Sequence, residues 1–131
     1  LNQHGQLRGC IGRIISDQPL AETVAEMAVA AATRDPRFPP VTSTELKEIE
    51  IEISALTPFR KISSPEEIRV GTHGLYIQRN DSAGLLLPQV AVEHGWDRQT
   101  FLEQTCNKAR LPRDAWKDPR TEIYVFSADV F

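Results

Sequence analysis

The sequence predicts an α+β domain, in which a mainly antiparallel β-sheet is flanked by helices. Two apolar runs, at 73–78 and 84–87, flank the polar residues 80–83, which is typical of a β-hairpin. Segment 48–53 alternates strictly between glutamate and isoleucine, which predicts a strand with its isoleucines inward and its glutamates outward. Two further segments repeat apolar residues at helical spacing. Strands joined by hairpins, with helices between some of them, indicate an α+β arrangement.

The first part of the chain is predicted to form a strand followed by a helix. The strand is expected at 7–15. Asp17 offers a capping acceptor and Pro19 suits a first helical turn, so the helix is expected to begin there. Its apolar face is formed by five residues: Leu20, Val24, Met27, Ala28 and Ala31. Three prolines within 35–40 forbid its continuation.

The second half of the chain contains signals for two more helices and a last strand. Pro88 is expected to begin a short helix that reaches about His94, with Gly95 at its C-terminal end. A longer helix is predicted from Asp97 onward. Its buried face is formed by Phe101, Leu102, Thr105, Cys106 and Ala109. The β-branched and aromatic residues of 121–126 predict the final strand.

Composition limits the classes of partner and location. A chain of 131 residues that is 40% apolar and 25% charged has the size and composition of one globular domain. Its net charge of −3 argues against nucleic acid or an anionic membrane as partner, and its apolar runs are too short to span a bilayer. Cys10 and Cys106 form no CxxC pair, so a reducing, cytoplasmic location is expected. Because the chain opens on Leu1 rather than Met, an N-terminal piece is expected to be missing.

The segment Leu-Arg-Gly-Cys-Ile-Gly at 7–12 carries the strongest chemical signal. On a strand, Arg8 and Cys10 would point to the same side, about 7 Å apart. A guanidinium beside a thiol favours the thiolate, so Cys10 is a candidate catalytic nucleophile. Arg8 is a candidate clamp for a carboxylate or phosphate. Gly9 and Gly12 leave the backbone bare, which would let a ligand approach closely.

Each of these residues also has a structural interpretation. Cys10 could be a small buried apolar residue, which is the usual fate of a free cysteine. Arg8 could form a salt bridge on the strand face. Gly9 and Gly12 could serve a tight crossing of the chain instead of a ligand.

Two residues in the second half of the chain could complete a catalytic site. His73 is the histidine best placed by motif to act as a base toward Cys10, although a capped turn is the favoured structural interpretation. Gln89 follows Pro88 at a predicted helix start, where free backbone N–H groups could form an oxyanion hole. The packing of a proline-started helix explains the same pattern.

The proline-rich corner at 35–40 supplies the last candidates. Asp35 and Arg37 have little conformational freedom and could line a cleft as ligand-binding residues. An internal ion pair, with Phe38 as a core anchor, is the favoured structural interpretation. No pair of His or Cys residues has metal-ligand spacing and no phosphate loop is present, so neither a metal nor a cofactor is predicted. The basic residues of 108–120 alternate with acidic ones, which favours a solvated connection over an RNA surface.

Several motifs follow one another in a recognisable order. They are Leu-Arg-Gly-Cys-Ile-Gly at 7–12, Asp-Pro-Arg-Phe at 35–38, Ile-Glu-Ile-Ser at 51–54, His-Gly-Leu at 73–75, Leu-Leu-Pro-Gln-Val at 86–90, Gly-Trp at 95–96, and Cys106, Lys108 and Trp116. Over nearly its whole length the chain resembles the AMMECR domain family, whose prokaryotic members are called AmmeMemoRadiSam system protein A. The resemblance implies one intracellular α+β domain over 1–131, with two unequal lobes around a cleft and without the family's further N-terminal helix and strand. It also implies association with a Memo-like protein and a radical-SAM protein, and it brings no established reaction.

Two functional hypotheses follow. In the first, the chain belongs to an intracellular modification pathway and acts as a cysteine-dependent enzyme. Cys10 would then be the nucleophile or carrier, His73 the proton acceptor, Arg8 an anion clamp and Gln89 a transition-state donor. In the second, the same region is a non-catalytic module that binds a small molecule or peptide or docks a partner, and Cys10 is structural.

Overall fold

The computed structural model describes all residues from Leu1 to Phe131. The chain forms two compact units of unequal size. Unit 1 comprises Leu1–Ser54 together with Val130–Phe131, and unit 2 comprises Ala55–Asp129. None of the helices has the length and apolar character that crossing a bilayer requires. The predicted α+β class with antiparallel sheets is confirmed.

Unit 1 contains three short strands and one helix. β1 (Asn2–Gln3) and β2 (Gln6–Leu7) form a hairpin through His4 and Gly5, which both have positive φ angles. β3 (Ile49–Glu50) pairs with the other edge of β1. The helix α1 (Leu20–Thr33) lies where a helix is predicted, but its N-cap is Pro19 and Asp17 does not cap it. Its buried residues are Ala30 and Ala31, whereas Leu20 of the predicted apolar face is 65% exposed. The chain ends of the unit meet where Ile53 and Phe131 exchange two backbone hydrogen bonds of 3.0 and 2.9 Å.

Two predicted strands of unit 1 are much shorter than expected. The strand predicted at 7–15 ends at Leu7, and residues 8–16 form an extended loop. The backbone N–H of Cys10 donates to the Asp35 carboxylate rather than to a neighbouring strand. Within the alternating segment only Ile49–Glu50 form a strand, and Glu48 belongs to the preceding 3₁₀ helix Glu45–Glu48. Ile51 is 61% exposed, so the prediction of inward-facing isoleucines is wrong at that residue.

The main sheet lies in unit 2 and is antiparallel throughout, with strand order β5-β8-β6-β7. Its strands are β5 (Arg60–Lys61), β6 (Gly74–Arg79), β7 (Ser82–Leu86) and β8 (Glu122–Phe126). The predicted hairpin is confirmed, and its turn is the two residues Asn80 and Asp81, with Asn80 at a φ of 53°. A separate two-stranded sheet is formed by β4 (Ser54–Leu56) and β9 (Ala128–Val130).

Two helices cover the main sheet and complete the core of unit 2. α2 (Pro88–His94) ends at Gly95, which adopts the left-handed conformation expected of a helix end. α3 (Arg98–Lys108) is capped by Asp97, whose side chain accepts from the Thr100 N–H at 2.8 Å. The predicted buried face of α3 is confirmed at all five positions: Phe101, Leu102, Thr105, Cys106 and Ala109.

The close contact between α3 and the sheet depends on a glycine of β7. A Cβ atom on Gly84 would lie 2.4 Å from the backbone nitrogen of Ala109. Because the neighbouring atoms belong to the backbone, no side-chain movement could relieve this contact. Gly84 therefore sets the distance between the end of α3 and the hairpin.

Candidate functional site

Cys10 lies on the surface of unit 1, in the loop that follows β2. Its side chain is exposed, whereas Cys106 in α3 is fully buried. Both backbone polar groups of Cys10 form hydrogen bonds to side chains. Its N–H donates to Asp35 Oδ2 at 2.9 Å, and its carbonyl oxygen accepts from Arg37 Nη2 at 3.4 Å. The structure therefore presents the thiol to solvent from a fixed backbone.

Asp35 is the buried centre of this arrangement. Its side chain is 2% exposed and accepts four hydrogen bonds of 2.7–3.0 Å, from the Cys10 N–H, the Arg37 N–H, Arg37 Nε and Arg37 Nη2. The hydrogen bonds from the Arg37 side chain, followed by that from the Cys10 backbone, hold the pKa of this carboxyl well below its usual range. The internal ion pair considered from the sequence is thus present.

Arg37 is the arginine whose side chain contacts Cys10, through the hydrogen bond from Nη2 to the Cys10 carbonyl oxygen. Its hydrogen bond to Asp35 is the main cause of a raised pKa, and the charges of Asp35 and of the Cys10 thiolate contribute further. The guanidinium also lies over the Phe38 ring, 5.5 Å from its centroid. More than half of the Arg37 side chain remains exposed. It can therefore attract an anion while it stays paired with Asp35.

Arg8, in contrast, is occupied by another carboxylate. Its Nε and Nη2 donate to the two carboxylate oxygens of Glu45 at 2.9 and 3.2 Å, and its remaining contacts are the carbonyl oxygens of Pro39 and Pro40. The hydrogen bonds from Arg8, followed by those from Thr42, lower the pKa of Glu45 to about 2. Arg8 thus fills the salt-bridge role considered from the sequence, and its side chain is only 11% exposed.

The two glycines of the motif differ in their surroundings. A Cβ atom on Gly9 would lie 2.2 Å from the carbonyl oxygen of Ala31, so the loop crosses the end of α1 at a distance that only glycine allows. A Cβ atom on Gly12 would meet nothing within 4 Å. Gly9 therefore serves the tight crossing, and the backbone at Gly12 is open.

The other two predicted catalytic residues belong to unit 2. His73 precedes β6, and its Nδ1 accepts the backbone N–H of Arg69 at 3.1 Å, which is a turn-capping contact. Burial, followed by the charges of Arg60 and Arg69, lowers the pKa of its imidazole. Gln89 is half-buried at the second position of α2, as predicted. Unit 1 thus brings together Arg8, Gly9, Cys10, Gly12, Asp35 and Arg37, and unit 2 holds His73 and Gln89.

Sequence reasoning missed Glu45, which is the partner of Arg8. Its Oε2 accepts from both the backbone N–H and the hydroxyl of Thr42, at 2.7 and 2.9 Å. The spacing Thr42-x-x-Glu45 is a capping-box pattern that could have identified this residue as a structural carboxylate. No group of three or more His, Cys, Asp or Glu side chains is placed to hold a metal ion.

Together, the fold and this site define an α+β protein that exposes one cysteine on a loop held by a buried aspartate–arginine pair. The chain belongs to the AMMECR1 family, whose model matches residues 1–131. A protein of Thermococcus gammatolerans is 50% identical over 95% of this chain and 63% of its own length. A protein of Methanothermobacter thermautotrophicus is 49% identical over the whole chain and 71% of its own length.

Structural comparison agrees with the sequence relationship. The crystal structure of an uncharacterised protein from Pyrococcus horikoshii superposes with a TM-score of 0.92 at 42% identity, over 98% of this chain and 68% of the other. The chain therefore spans 63% of the length of the Thermococcus gammatolerans relative and about two thirds of the Pyrococcus horikoshii protein.

Proposed function

We propose that this chain is a Cys10-dependent component of an intracellular modification pathway that works with a Memo-like protein and a radical-SAM protein. The exposure of Cys10 on a fixed backbone is the observation that carries the proposal. In this role the sulfur forms a bond to an electrophilic carbon of the substrate. The leaving group departs with its electron pair, and the thiol proton passes to solvent.

The contrast between the two cysteines supports this assignment. Cys106 is fully buried, and burial raises the pKa of its thiol, which is typical of a structural cysteine. Cys10 lies instead beside the charge of Arg37 and is open to solvent. The exposed part of the Arg37 side chain beside Cys10 could hold an anionic group of a substrate.

The remaining motif residues then act through Cys10. Asp35 positions the Cys10 backbone, and Arg8 and Gly9 hold the loop against Glu45 and the end of α1. His73 Nδ1 accepts the Arg69 N–H in the turn. His73 can therefore act as a base only if this hydrogen bond breaks and frees the lone pair of Nδ1. The role of Gln89 as a transition-state donor stays a prediction.

Alkylation of the native protein tests the reactivity of the thiol. We expect iodoacetamide to modify Cys10 near neutral pH and Cys106 only after unfolding, as read by peptide mass mapping. Arg37→Gln should change the reaction rate of Cys10 several-fold, because it removes the guanidinium that holds the Cys10 carbonyl oxygen. The matched variant Arg34→Gln, on a residue without an ion pair, should leave the rate unchanged. If Cys10 does not react below pH 8 until the protein unfolds, its role as a nucleophile is excluded.

Co-expression tests whether this chain works together with the Memo-like and radical-SAM proteins. The intact mass of the chain is measured after expression with the Memo-like and radical-SAM proteins. We expect a covalent adduct that maps to Cys10 and disappears in Cys10→Ser. An adduct that persists in Cys10→Ser, or no adduct in either form, would contradict the covalent role.

One observation favours a second candidate function, a module that docks a partner. The loop that carries Cys10 also exposes three isoleucines, Ile11, Ile14 and Ile15, and Ile15 is 87% exposed. Apolar side chains gathered on one loop are typical of a protein-binding surface. Calorimetric titration with the Memo-like protein separates the two functions. Docking through the loop requires that Ile15→Asp abolish binding while Cys10→Ser retains it.

A further inference from the structure

Unit 2 contains a groove of about 700 Å³ that the proposed function does not use. One wall is formed by residues 61–65 together with Glu67, which follow the edge strand β5. The other wall is formed by 116–119, Thr121 and Ile123. Both walls combine apolar and polar side chains, which is the usual character of a small-molecule site.

Two residues that line the groove each have a polar side-chain atom without a hydrogen-bond partner. These atoms are the indole Nε1 of Trp116 and the hydroxyl oxygen of Thr121, and both are shielded from solvent. Thr121 as a whole is only 9% exposed. Buried polar groups are almost always paired in folded proteins, so two unpaired groups on one wall need an explanation. The indole N–H can only donate, so its missing partner is an acceptor.

The carboxylates at the groove are already fully engaged. Asp118 accepts from the backbone and side chain of Arg120 and from Arg79, and these contacts hold the pKa of Asp118 well below its usual range. Glu67 accepts from the backbone N–H groups of Ser63 and Ser64 and from Arg60. Neither acidic side chain therefore offers free negative charge to the groove.

The lysines at the groove, unlike the carboxylates, have no close ion-pair partners. Lys117 forms no ion pair within unit 2 and lies over the Trp116 ring, 5.3 Å from its centroid. Lys61 has only a long, exposed contact of 3.7 Å with Glu122. The unsatisfied groups are thus a cation, an N–H donor and a hydroxyl, beside apolar surface. This combination is complementary to an anion with an apolar body.

We propose that this groove binds an organic carboxylate, whose oxygens accept from Trp116 Nε1 and Lys117 Nζ and whose apolar part lies against Ile62 and Ile123. Because the indole N–H and the Thr121 hydroxyl are shielded, binding includes a movement of the groove wall. Lys117 is exposed and can turn aside from the ring to admit the ligand. The carboxylate belongs either to a free organic acid or to the C-terminus of a peptide.

The indole resonance of Trp116 gives a direct test, since the chain has only two tryptophans. The full chain labelled with ¹⁵N is titrated with phenylacetate up to about 10 mM, a range suited to the millimolar affinity of so small a ligand. Trp96→Phe assigns the two indole signals. We expect a saturable shift of the Trp116 signal. The neutral isostere phenylacetamide should produce no comparable shift.

Substitutions then locate the binding charge. Lys117→Ala should weaken phenylacetate binding about tenfold, the effect of losing one charge-assisted hydrogen bond. Lys47→Ala, a matched lysine of unit 1, should leave binding unchanged. The proposal is overturned if the Trp116 signal does not move, if phenylacetamide binds equally well, or if Lys117→Ala binds as tightly as the parent chain.

A peptide arm distinguishes the two sources of the carboxylate. Acetyl-Gly-Phe with a free C-terminus is compared with phenylacetate and with its own C-terminal amide. Tighter binding of the free peptide than of phenylacetate assigns the groove to a chain terminus, and the reverse assigns it to a free acid. Equal binding of the peptide and its C-terminal amide would overturn the proposal that the groove recognises a carboxylate.

Discussion

Each of the two units has its own kind of internal interaction. Of the sixteen buried apolar residues, unit 1 contributes only Ala30 and Ala31, and the rest belong to unit 2. The loops of unit 1 are fastened instead by two ion pairs, Arg37 with Asp35 and Arg8 with Glu45. A core formed by apolar burial tolerates changes of pH, whereas a structure held by carboxylates depends on their ionisation. The exposed thiol of Cys10 lies in the unit with few buried apolar residues and two ion pairs in its loops.

The largest expected effect is the loss of core volume in unit 2. Phe101→Ala removes a fully buried ring and should lower the free energy of unfolding by about 3–5 kcal/mol. Urea denaturation followed by circular dichroism measures it. Phe131→Ala, the same change at an exposed side chain, should stay within about 0.5 kcal/mol. Similar losses for both variants would show that the apolar core does not dominate unit 2.

A smaller effect is expected where the loop of unit 1 crosses α1. Gly9→Ala places a methyl group against the carbonyl oxygen of Ala31 and should destabilise the protein by about 1–3 kcal/mol through overpacking. Gly12→Ala, which meets open space, should be nearly neutral. Hydrogen exchange of the loop amides should increase in the first variant alone. Equal stability of the two variants would refute the close crossing.

The pH dependence of unit 1 should reveal its carboxylates. The folded pKa of Glu45 is lowered from 4.5 to about 2, so its contribution to stability is complete above pH 4.5 and is lost as pH falls toward 2. The slope of the free energy of unfolding against pH reports how many protons the chain takes up on unfolding. Glu45→Gln should lower this number by up to about one between pH 2 and 4.5. Urea midpoints at several pH values give the slope. Glu50→Gln, with no resolved ion pair, is the control and should leave the slope intact.

The smallest effect is expected from an exposed ion pair of the same unit. Arg13 and Glu26 lie 2.6 Å apart, but both side chains are more than a third exposed. Arg13→Ala should therefore cost less than about 1 kcal/mol, and the loss should shrink further at high salt. Thermal unfolding measures this loss of stability. A larger loss that does not depend on salt would show that the ion pair of Arg13 is needed to stabilise unit 1.

The difference between the units also explains which features the sequence could predict. The β6–β7 hairpin and the buried face of α3 depend on neighbours within a few positions, and both were predictable from spacing. The loop at Cys10 depends on Asp35, and Arg8 depends on Glu45, both distant along the chain. Local alternation therefore predicted a strand at 7–15 where a distant side chain instead takes the backbone N–H.

The same limit applies to the candidate site. Asp35 and Arg37 were recognisable as a rigid pair because prolines surround them, and Cys10 was recognisable as a reactive residue type. Strand alternation pairs the Arg8 guanidinium with Cys10, but in the structure Arg37 donates to the Cys10 carbonyl oxygen while Arg8 pairs with Glu45. A two-residue spacing in sequence does not predict proximity once the strand is lost.

The backbone pairing of Ile53 with Phe131 has a consequence for synthesis of the chain. All 75 residues of unit 2, Ala55–Asp129, lie between these two partners. While the chain is being translated, unit 2 can collapse as each piece leaves the ribosome, but the Ile53 pairing must wait until Phe131 has emerged. Unit 1, which carries Cys10, can therefore be completed only after all of unit 2 has been synthesised.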